Sequence, residues 1–434
     1  MNKTFKEKKI LLPHQYYYPY MHFIDDRATK ENREAFLESL KGIHRDVMVY
    51  IHYPFCDSRC AFCGFDKKYD LDEIKIYVDQ LLKELEFYSQ FDFTVKNIHI
   101  GGGTPTLIPA EYLTKVLNFV KENFRCEPDM DVNIEGSATS IYKDEIIGFM
   151  KDNNITRASV GVQTFNPKLR EIFNTKATLE QVELTLDTLR KNNIKVFTDI
   201  LFGYPDFGIG EAPEVTVKND IKRAMEFGAA GIDFSHIYPY GNKLAGLVEK
   251  LGLPYPSTAD LVALMSDCMD YMEEHGYHQE TSYGFVKEGR IIIETSYYGG
   301  VDDVVDTLAV GSGSFGLIGD YKYRNPQYGG YMNMPVPSFV QIKKLTDEQK
   351  ENMEIVGFPK VLRLSKAQLD RPGMKERFLP KLEKLIAEGL LVEREHDYVV
   401  SKEGRYFIDN IYYYMLEEKE QDILDKNVKI MEYK

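Results

Sequence analysis

Through the middle of the chain, short apolar runs alternate with longer stretches in which apolar residues recur every three or four positions. Strand-like runs lie at 47–52, 97–100, 131–135, 158–162, 195–200 and 231–237. Between the first two, 71–91 places Ile74, Val78, Leu81, Leu82 and Leu85 on one helical face. Helical spacing also covers 111–123, 143–153, 179–192 and 217–227. Six strands separated by helices predict an α/β fold with a parallel sheet, wound or closed toward a barrel. In such folds the chemistry gathers at the C-terminal ends of the strands.

Outside this core the pattern changes. Residues 1–46 read as an N-terminal arm, 47–245 as the wound core and 246–345 as a less regular extension rich in Gly and Tyr. Residues 346–434 read as a small separate module. There Leu379, Leu382, Leu385 and Ile386 make a helical stripe, followed by a hairpin pattern over 389–400. Helix plus hairpin suggests a winged-helix-like module. Its local acidity favours a lid or docking role over DNA binding.

Composition narrows the classes. The 434 residues carry a formal net charge of −14, which speaks against a nucleic-acid partner. No apolar run approaches the ~20 residues that span a bilayer. The apolar triplet at 10–12 is too short for a signal-peptide core. Reduced thiols and no export signal lead to an expectation of a cytoplasmic protein. With 30 Tyr and no Trp, the chain would suit a flat aromatic ligand.

Three of the five cysteines, Cys56, Cys60 and Cys63, fall within eight residues. A tight loop can aim three soft thiolates at one metal centre and leave a coordination position open. Structural zinc normally takes four protein ligands in two separated pairs, whereas Cys126 and Cys268 stand alone. His52 is the nearest fourth donor. An odd cysteine count fits a disulfide framework poorly. A glycine turn, Gly101-Gly102-Gly103-Thr104-Pro105-Thr106, follows the second strand. Glycines let a ligand approach the backbone, and exposed amides can hold a carboxylate or an amino group; the same run also serves as a plain strand-to-helix turn. Glu135, Gln163 and Asp199 close the next three strands.

The Cys-x3-Cys-x2-Cys spacing, with Phe62 before the last cysteine, resembles the cluster loop of radical S-adenosylmethionine enzymes. Tyr50, Cys56, Cys60, Phe62, Cys63, Gly102, Gly103, Thr104, Glu135, Gln163 and Asp199 together resemble the oxygen-independent coproporphyrinogen oxidase family. The resemblance runs from about residue 47 to 240, and more loosely to the C-terminus. It implies a partial (β/α)6 TIM-like barrel over 47–245 with a mixed C-terminal extension. It also implies a [4Fe–4S] cluster held by the three cysteines, one or two S-adenosylmethionine molecules, a 5′-deoxyadenosyl radical and an anaerobic setting. Tyr50, Phe62, the glycine turn, Glu135, Gln163 and Asp199 would then contact the cofactor. The family usually places an arginine twelve residues after its glutamine; here that position is Thr175, and Lys176 is the substitute.

Three branches of the family differ in what they do to a tetrapyrrole: an oxidase that decarboxylates two propionates, a haem chaperone, and an anaerobic haem-degrading radical methyltransferase that opens the porphyrin and releases iron. The run Cys63-Gly64-Phe65-Asp66 and the stretch 306–326 resemble the haem-degrading branch, and the absence of Trp departs from the chaperone signature. Haem degradation is therefore the preferred expectation. The oxidase, another radical methyltransferase and a binding-only chaperone are its alternatives. A flavodoxin- or ferredoxin-type electron donor is implied. Arg324 or Lys322 would grip a propionate, and Tyr18, within the run 16–20, would stack on the ring. Among His14, His22, His44, His52 and His236, His236 is the preferred iron ligand because it ends a strand.

Overall fold

The computed structural model describes residues 6–12, 18, 21, 25–289, 306–427 and 431–433. Its strands are β1 (Lys9–Leu11), β2 (Arg45–Tyr53), β3 (Phe93–Gly102), β4 (Arg125–Gly136), β5 (Arg157–Gln163), β6 (Lys195–Phe202), β7 (Gly231–His236), β8 (His278–Gln279) and β9 (Gly284–Val286). They continue with β10 (Asp306–Val310), β11 (Phe315–Ile318), β12 (Tyr321–Arg324), β13 (Gln341–Lys344), β14 (Arg363–Ser365), β15 (Leu391–Glu393), β16 (Asp397–Val400) and β17 (Met431–Tyr433).

Strands β2 to β7 lie side by side and parallel, in sequence order. The helices Ile74–Ser89, Ala110–Asn123, Asp144–Asp152, Leu179–Lys191 and Pro213–Glu226 connect them. This is the α/β arrangement with a parallel sheet that the alternating pattern predicts, in the partial-barrel form that the family resemblance implies. The sheet does not close: β10 adds parallel to β2 at one edge, and β9 adds antiparallel to β7 at the other. With β8 and β11 to β13 the sheet reaches twelve strands. The extension thus belongs to the same sheet.

Pleating sorts the residues of each strand. Val47, Val49, Ile51, Ile98, Ile100, Val132, Ile134, Val160, Ile200, Ile232 and Phe234 are buried under the helices. The alternate positions carry Tyr50, His52, His99, Glu135, Gln163, Asp199 and Asp233. A polar inner face would be costly in a filled barrel, so these groups line a chamber.

The ends of the chain meet. Strand β1 pairs antiparallel with β17, and Asp409 and Asn410 accept the Leu12 and Ile10 amides at 3.0 Å each. Residues 363–400 form a three-stranded antiparallel sheet, order β14-β16-β15, beside the helix Met374–Ala387. Leu382 and Leu385 of the predicted stripe are buried there.

The helix Ile74–Ser89 also buries a carboxylate that its apolar periodicity does not reveal. Glu84 is fully buried. It accepts from the Gly311 amide (2.8 Å), Asn325 Nδ2 (2.7 Å) and the Tyr331 hydroxyl (2.6 Å). Tyr77, two turns earlier, donates to His52 O (2.6 Å) and accepts from the Ser312 amide (2.9 Å). The helix therefore fastens the turn after β10 to the end of β2. Burial raises Glu84 to about 7, against the opposing pull of its three donors. Because the folded-state pKa is raised, its contribution to stability is complete below pH 4.5 and is lost as pH rises through 7. Glu84→Gln should therefore lose less stability than the parent between pH 5 and 8, by up to about 3 kcal/mol, read from urea unfolding at each pH.

Candidate functional site

Beyond β2 the chain turns through Pro54 and Phe55 into the cysteine loop. Its neck is closed by backbone: the Cys56 amide donates to Lys68 O (2.9 Å), and the Lys68 amide donates to Pro54 O (2.8 Å). A second segment, after β5, embraces the loop. The Ala61 amide donates to Phe173 O (2.8 Å), Asn174 Nδ2 to Arg59 O (2.9 Å), and Phe62 meets Phe173 edge-on at 5.5 Å. On the far side the Leu244 amide donates to Ala61 O (2.8 Å).

All three loop cysteines are free thiols, Cys56 buried and the others half-buried. Cys56 Sγ lies 3.5 Å from Thr104 Oγ1, and Cys60 Sγ lies 3.1 Å from Ser58 Oγ. Burial raises the Cys60 thiol, against the pull of Ser58 and Lys67; the other two cysteines add to the rise. Burial works to lower the Lys67 ammonium, but Cys63 and then Cys56 and Cys60 raise it on balance. Among the described residues no three His, Cys, Asp or Glu converge tightly enough to enclose one metal ion. Zn–S bonds of about 2.3 Å would demand such convergence. The three thiols lie near enough for the charges of Cys56 and Cys63 to act on Cys60.

The glycine turn is a clamp. The Gly103 and Thr104 amides donate to Tyr53 O and Phe55 O, each at 2.7 Å. A Cβ on Gly103 would stand 2.4 Å from Phe55 O; one on Gly102, at φ +112°, would stand 2.7 Å from Tyr53 O. The Gly102 amide donates to Glu135 Oε2 at 3.1 Å. All three amides are engaged within the protein, because the turn packs backbone to backbone on the strand that delivers Cys56.

Glu135 stands over Gly101, where a Cβ would be 2.9 Å from its carboxyl carbon. It pairs with His99 Nε2 at 2.8 Å, and Asn133 Nδ2 faces His99 Nδ1 at 3.0 Å. Tyr50 stacks on His99 (5.7 Å, 22°) and bonds His52 Nδ1 at 3.1 Å. Burial pushes Glu135 up, but His99 and the Gly102 amide outweigh it and hold the carboxyl low. Burial lowers His52 to about 4, keeping it neutral. Gln163 adopts φ +71°, and its side chain lies over Gly161, where a Cβ would sit 2.7 Å from Nε2 and 3.8 Å from Asp199 Oδ2. Gln163 Oε1 is buried without a partner. Asp199 and Asp233 face each other in register across β6 and β7. Burial raises both; the Asp233 and Glu135 charges add to the effect on Asp199. Glu135 also raises Asp233, while Ser235 opposes.

Other expected residues lie elsewhere. Lys176 pairs with Asp57 Oδ2 at 3.0 Å, beside Cys56. The rigid cation of this segment is Arg170, which donates to Val162 O and Thr164 O (2.8 Å each) and to Ala177 O (2.6 Å), stapling the segment in place. His236 occupies the outer face of β7, edge-on to Phe202 at 4.7 Å, away from the chamber. The reason is pleat parity: Asp233 and Ser235 point inward, so His236 points out. His44 lies at the opposite end of β2, 3.1 Å from Asp92. Tyr18 bonds through its amide to the Tyr412 hydroxyl. Arg324 covers Phe315 at 4.8 Å, and with the Gln327 amide turned to accept from it (3.0 Å), Gln327 donates to Asp66 Oδ2 at 3.2 Å. Burial and then Lys343 lower Lys322 to about 8. His14, His22 and Tyr16, Tyr17 and Tyr20 lie outside the described residues. Sequence reasoning missed His99, Asp233, Lys67 and Arg170. The signal for His99 and Asp233 was the alternation within their own strands.

A methyl group at Gly103 should displace the cysteine loop. Gly103→Ala is expected to lose most of the iron that the parent retains after anaerobic reconstitution, and about 2 kcal/mol or more of stability. Iron per chain and urea unfolding check the two effects.

Residues 50–216 match the radical SAM superfamily. The chain is 28% identical over 289 residues to the anaerobilin synthase of Escherichia coli O157:H7, covering 65% of this chain and 63% of that protein. It thus spans somewhat under two thirds of that relative. It is 23% identical over 381 residues to a haem chaperone of Buchnera aphidicola, covering 84% and 97%. Its fold superposes on the coproporphyrinogen III oxidase of Escherichia coli with a TM-score of 0.77, at 20% identity, over 93% of this chain and 96% of that one. The domain is one whose family works with a [4Fe–4S] cluster and S-adenosylmethionine. The thiol loop and its glycine clamp therefore lie in a segment that matches the radical SAM superfamily, in a chain similar to anaerobilin synthase, haem chaperones and oxygen-independent coproporphyrinogen oxidases.

Proposed function

We propose that the protein degrades haem without oxygen, by methyl transfer and opening of the macrocycle to a linear tetrapyrrole with release of iron. The observation that carries this reading is the three-thiol loop opening onto a polar chamber, in a chain similar to an anaerobilin synthase. The Cys63-Gly64-Phe65 run and the β10–β12 stretch add to it.

Cys56, Cys60 and Cys63 would hold a [4Fe–4S] cluster, and Glu135, Gln163 and Asp199 would contact S-adenosylmethionine. Those groups, when bound, supply reductive cleavage at the sulfonium and a transferable methyl group. The protein's own residues do the rest. Glu135, fixed by His99 and Gly102, presents a carboxylate that stays ionised. Gln163 Oε1, buried and without a partner, is an acceptor aimed at a bound donor. Asp199 and Asp233 are both pushed toward the protonated form, Asp199 by burial and the Asp233 and Glu135 charges, Asp233 by burial and Glu135. Lys176, with Asp57, brings a cation to the loop. Arg324 is linked through Gln327 to Asp66 of the cysteine loop and would receive a propionate there. The segments holding Phe173, Asn174 and Leu244 fix the loop through hydrogen bonds to Ala61 and Arg59.

The chaperone match covers more of the chain than the anaerobilin synthase match, and it supports a second reading in which haem is bound and handed on unchanged. One experiment separates them. Reconstituted protein, reductant, S-adenosylmethionine and haem are mixed anaerobically and followed by absorbance and mass spectrometry. Loss of the Soret band with a methylated linear tetrapyrrole is the expected result. An intact bound haem would replace the proposal with the chaperone reading. Turnover of coproporphyrinogen alone would replace it with the oxidase reading.

A further inference from the structure

Where β3 and β4 pair, three polar side chains form one hydrogen-bonded row. The Asn133 amide nitrogen lies 3.0 Å from His99 Nδ1, and His99 Nε2 lies 2.8 Å from Glu135 Oε1. Asn133 is buried. The His99 side chain is 5% exposed, whereas that of Glu135 is 37% exposed and opens to the chamber. His99 is therefore out of reach of a ligand in the chamber, and whatever it does there it does through Glu135.

The protonation of the ring follows from its two neighbours. An amide nitrogen only donates, so Nδ1 must accept. A carboxylate only accepts, so Nε2 must carry the proton. Against the upward push of burial, that contact and the Gly102 amide on Oε2, at 3.1 Å, keep Glu135 ionised. One ring form meets both contacts, the neutral Nε2–H tautomer. Tyr50 stacks on the ring at 5.7 Å and 22°. A doubly protonated ring would cancel the Glu135 charge. The neutral one orients the carboxylate and leaves its charge intact.

The carboxylate is thus held by one donor on each oxygen. It has about four lone-pair sites, so His99 and Gly102 leave part of its capacity for a ligand. We infer that His99 is a positioning residue: as a neutral Nε2–H donor whose tautomer Asn133 fixes, it aims an undiminished Glu135 carboxylate at the donor groups of bound S-adenosylmethionine. The inference rests on the reading that Glu135 contacts S-adenosylmethionine, and it adds the group that sets the aim and charge of that contact.

Two measurements on the full chain test it. The first is the ¹⁵N–¹H correlation spectrum of histidine-labelled protein, with His99 assigned by its absence in His99→Gln. The second is equilibrium dialysis of S-adenosylmethionine, without reductant, against the reconstituted parent, His99→Gln, His99→Asn and His99→Leu, with iron per chain measured in each. A glutamine amide reaches to about where Nε2 stands and donates there, whereas an asparagine amide stops at the level of Nδ1. The expected spectrum is that of a neutral ring protonated at Nε2. The expected Kd is within about threefold of the parent for His99→Gln and raised at least about tenfold for His99→Asn and His99→Leu, as for the loss of one hydrogen bond to a charged group, at unchanged iron content. A doubly protonated ring, which a reversed Asn133 amide would require, would overturn the inference. So would parent-like binding by His99→Asn or His99→Leu, or binding by His99→Gln as weak as theirs. A loss of iron that tracks the loss of binding would mean a purely structural role and would equally overturn it. If His99→Leu does not fold, His99→Asn still decides. A parent that binds no S-adenosylmethionine, with the ring in the expected form, would overturn the cofactor reading itself and the inference with it, a pattern distinct from the others.

Discussion

The structure depends on a backbone contact two residues wide. The Gly103 and Thr104 amides donate to Tyr53 O and Phe55 O, and nothing larger than hydrogen fits between them at Gly103. That contact fixes where β2 ends relative to β3, and so where Cys56 leaves the sheet. The loop neck at Lys68, the embrace by Phe173 and Asn174 and the brace from Leu244 then fix Cys60 and Cys63. A cofactor held by three thiols needs their positions set to fractions of an ångström. Here they are set by main-chain hydrogen bonds from four separate parts of the barrel.

Around that loop, burial and charge divide the labour among similar side chains. Glu135 sits beside His99 and a backbone amide and is held ionised. Asp199 and Asp233 sit beside each other and Glu135 and are pushed toward the protonated form. His52 is kept neutral by burial. One chamber thus offers a fixed anion, two carboxyls biased toward their protonated form and neutral hydrogen-bonding groups, which is how one fold presents different chemistries at a single pH.

The parallel strands and their helices were legible because each is half-buried and writes the burial into its alternation. Their boundaries were less so. Strand β4 begins at Arg125, through a polar stretch containing Pro128 that only its pairing with β3 makes a strand. The cysteines were legible from their spacing and Glu135 and Gln163 as strand-end residues, whereas Asp199 lies inside β6, which runs on to Phe202. His236 was not, since reaching a strand end does not say which face a side chain takes. Glu84 and Arg170 were hidden for a related reason: each is a buried charge whose partners the pattern does not show, distant segments for Glu84 and nearby backbone carbonyls for Arg170. The glycine turn was legible in its place, but the clamp it makes on Tyr53 and Phe55 was not, because a clamp and a ligand cradle demand the same residues.

The central claim is that Cys56, Cys60 and Cys63 hold a cluster with one iron open to S-adenosylmethionine. Electron paramagnetic resonance of the reconstituted, reduced protein, with and without S-adenosylmethionine, tests it most directly. The account predicts a [4Fe–4S]⁺ signal whose g-values shift when S-adenosylmethionine is added, and no such signal when the three cysteines are replaced by alanine. A spectrum that S-adenosylmethionine leaves unchanged, or a signal that survives loss of all three thiols, would contradict it.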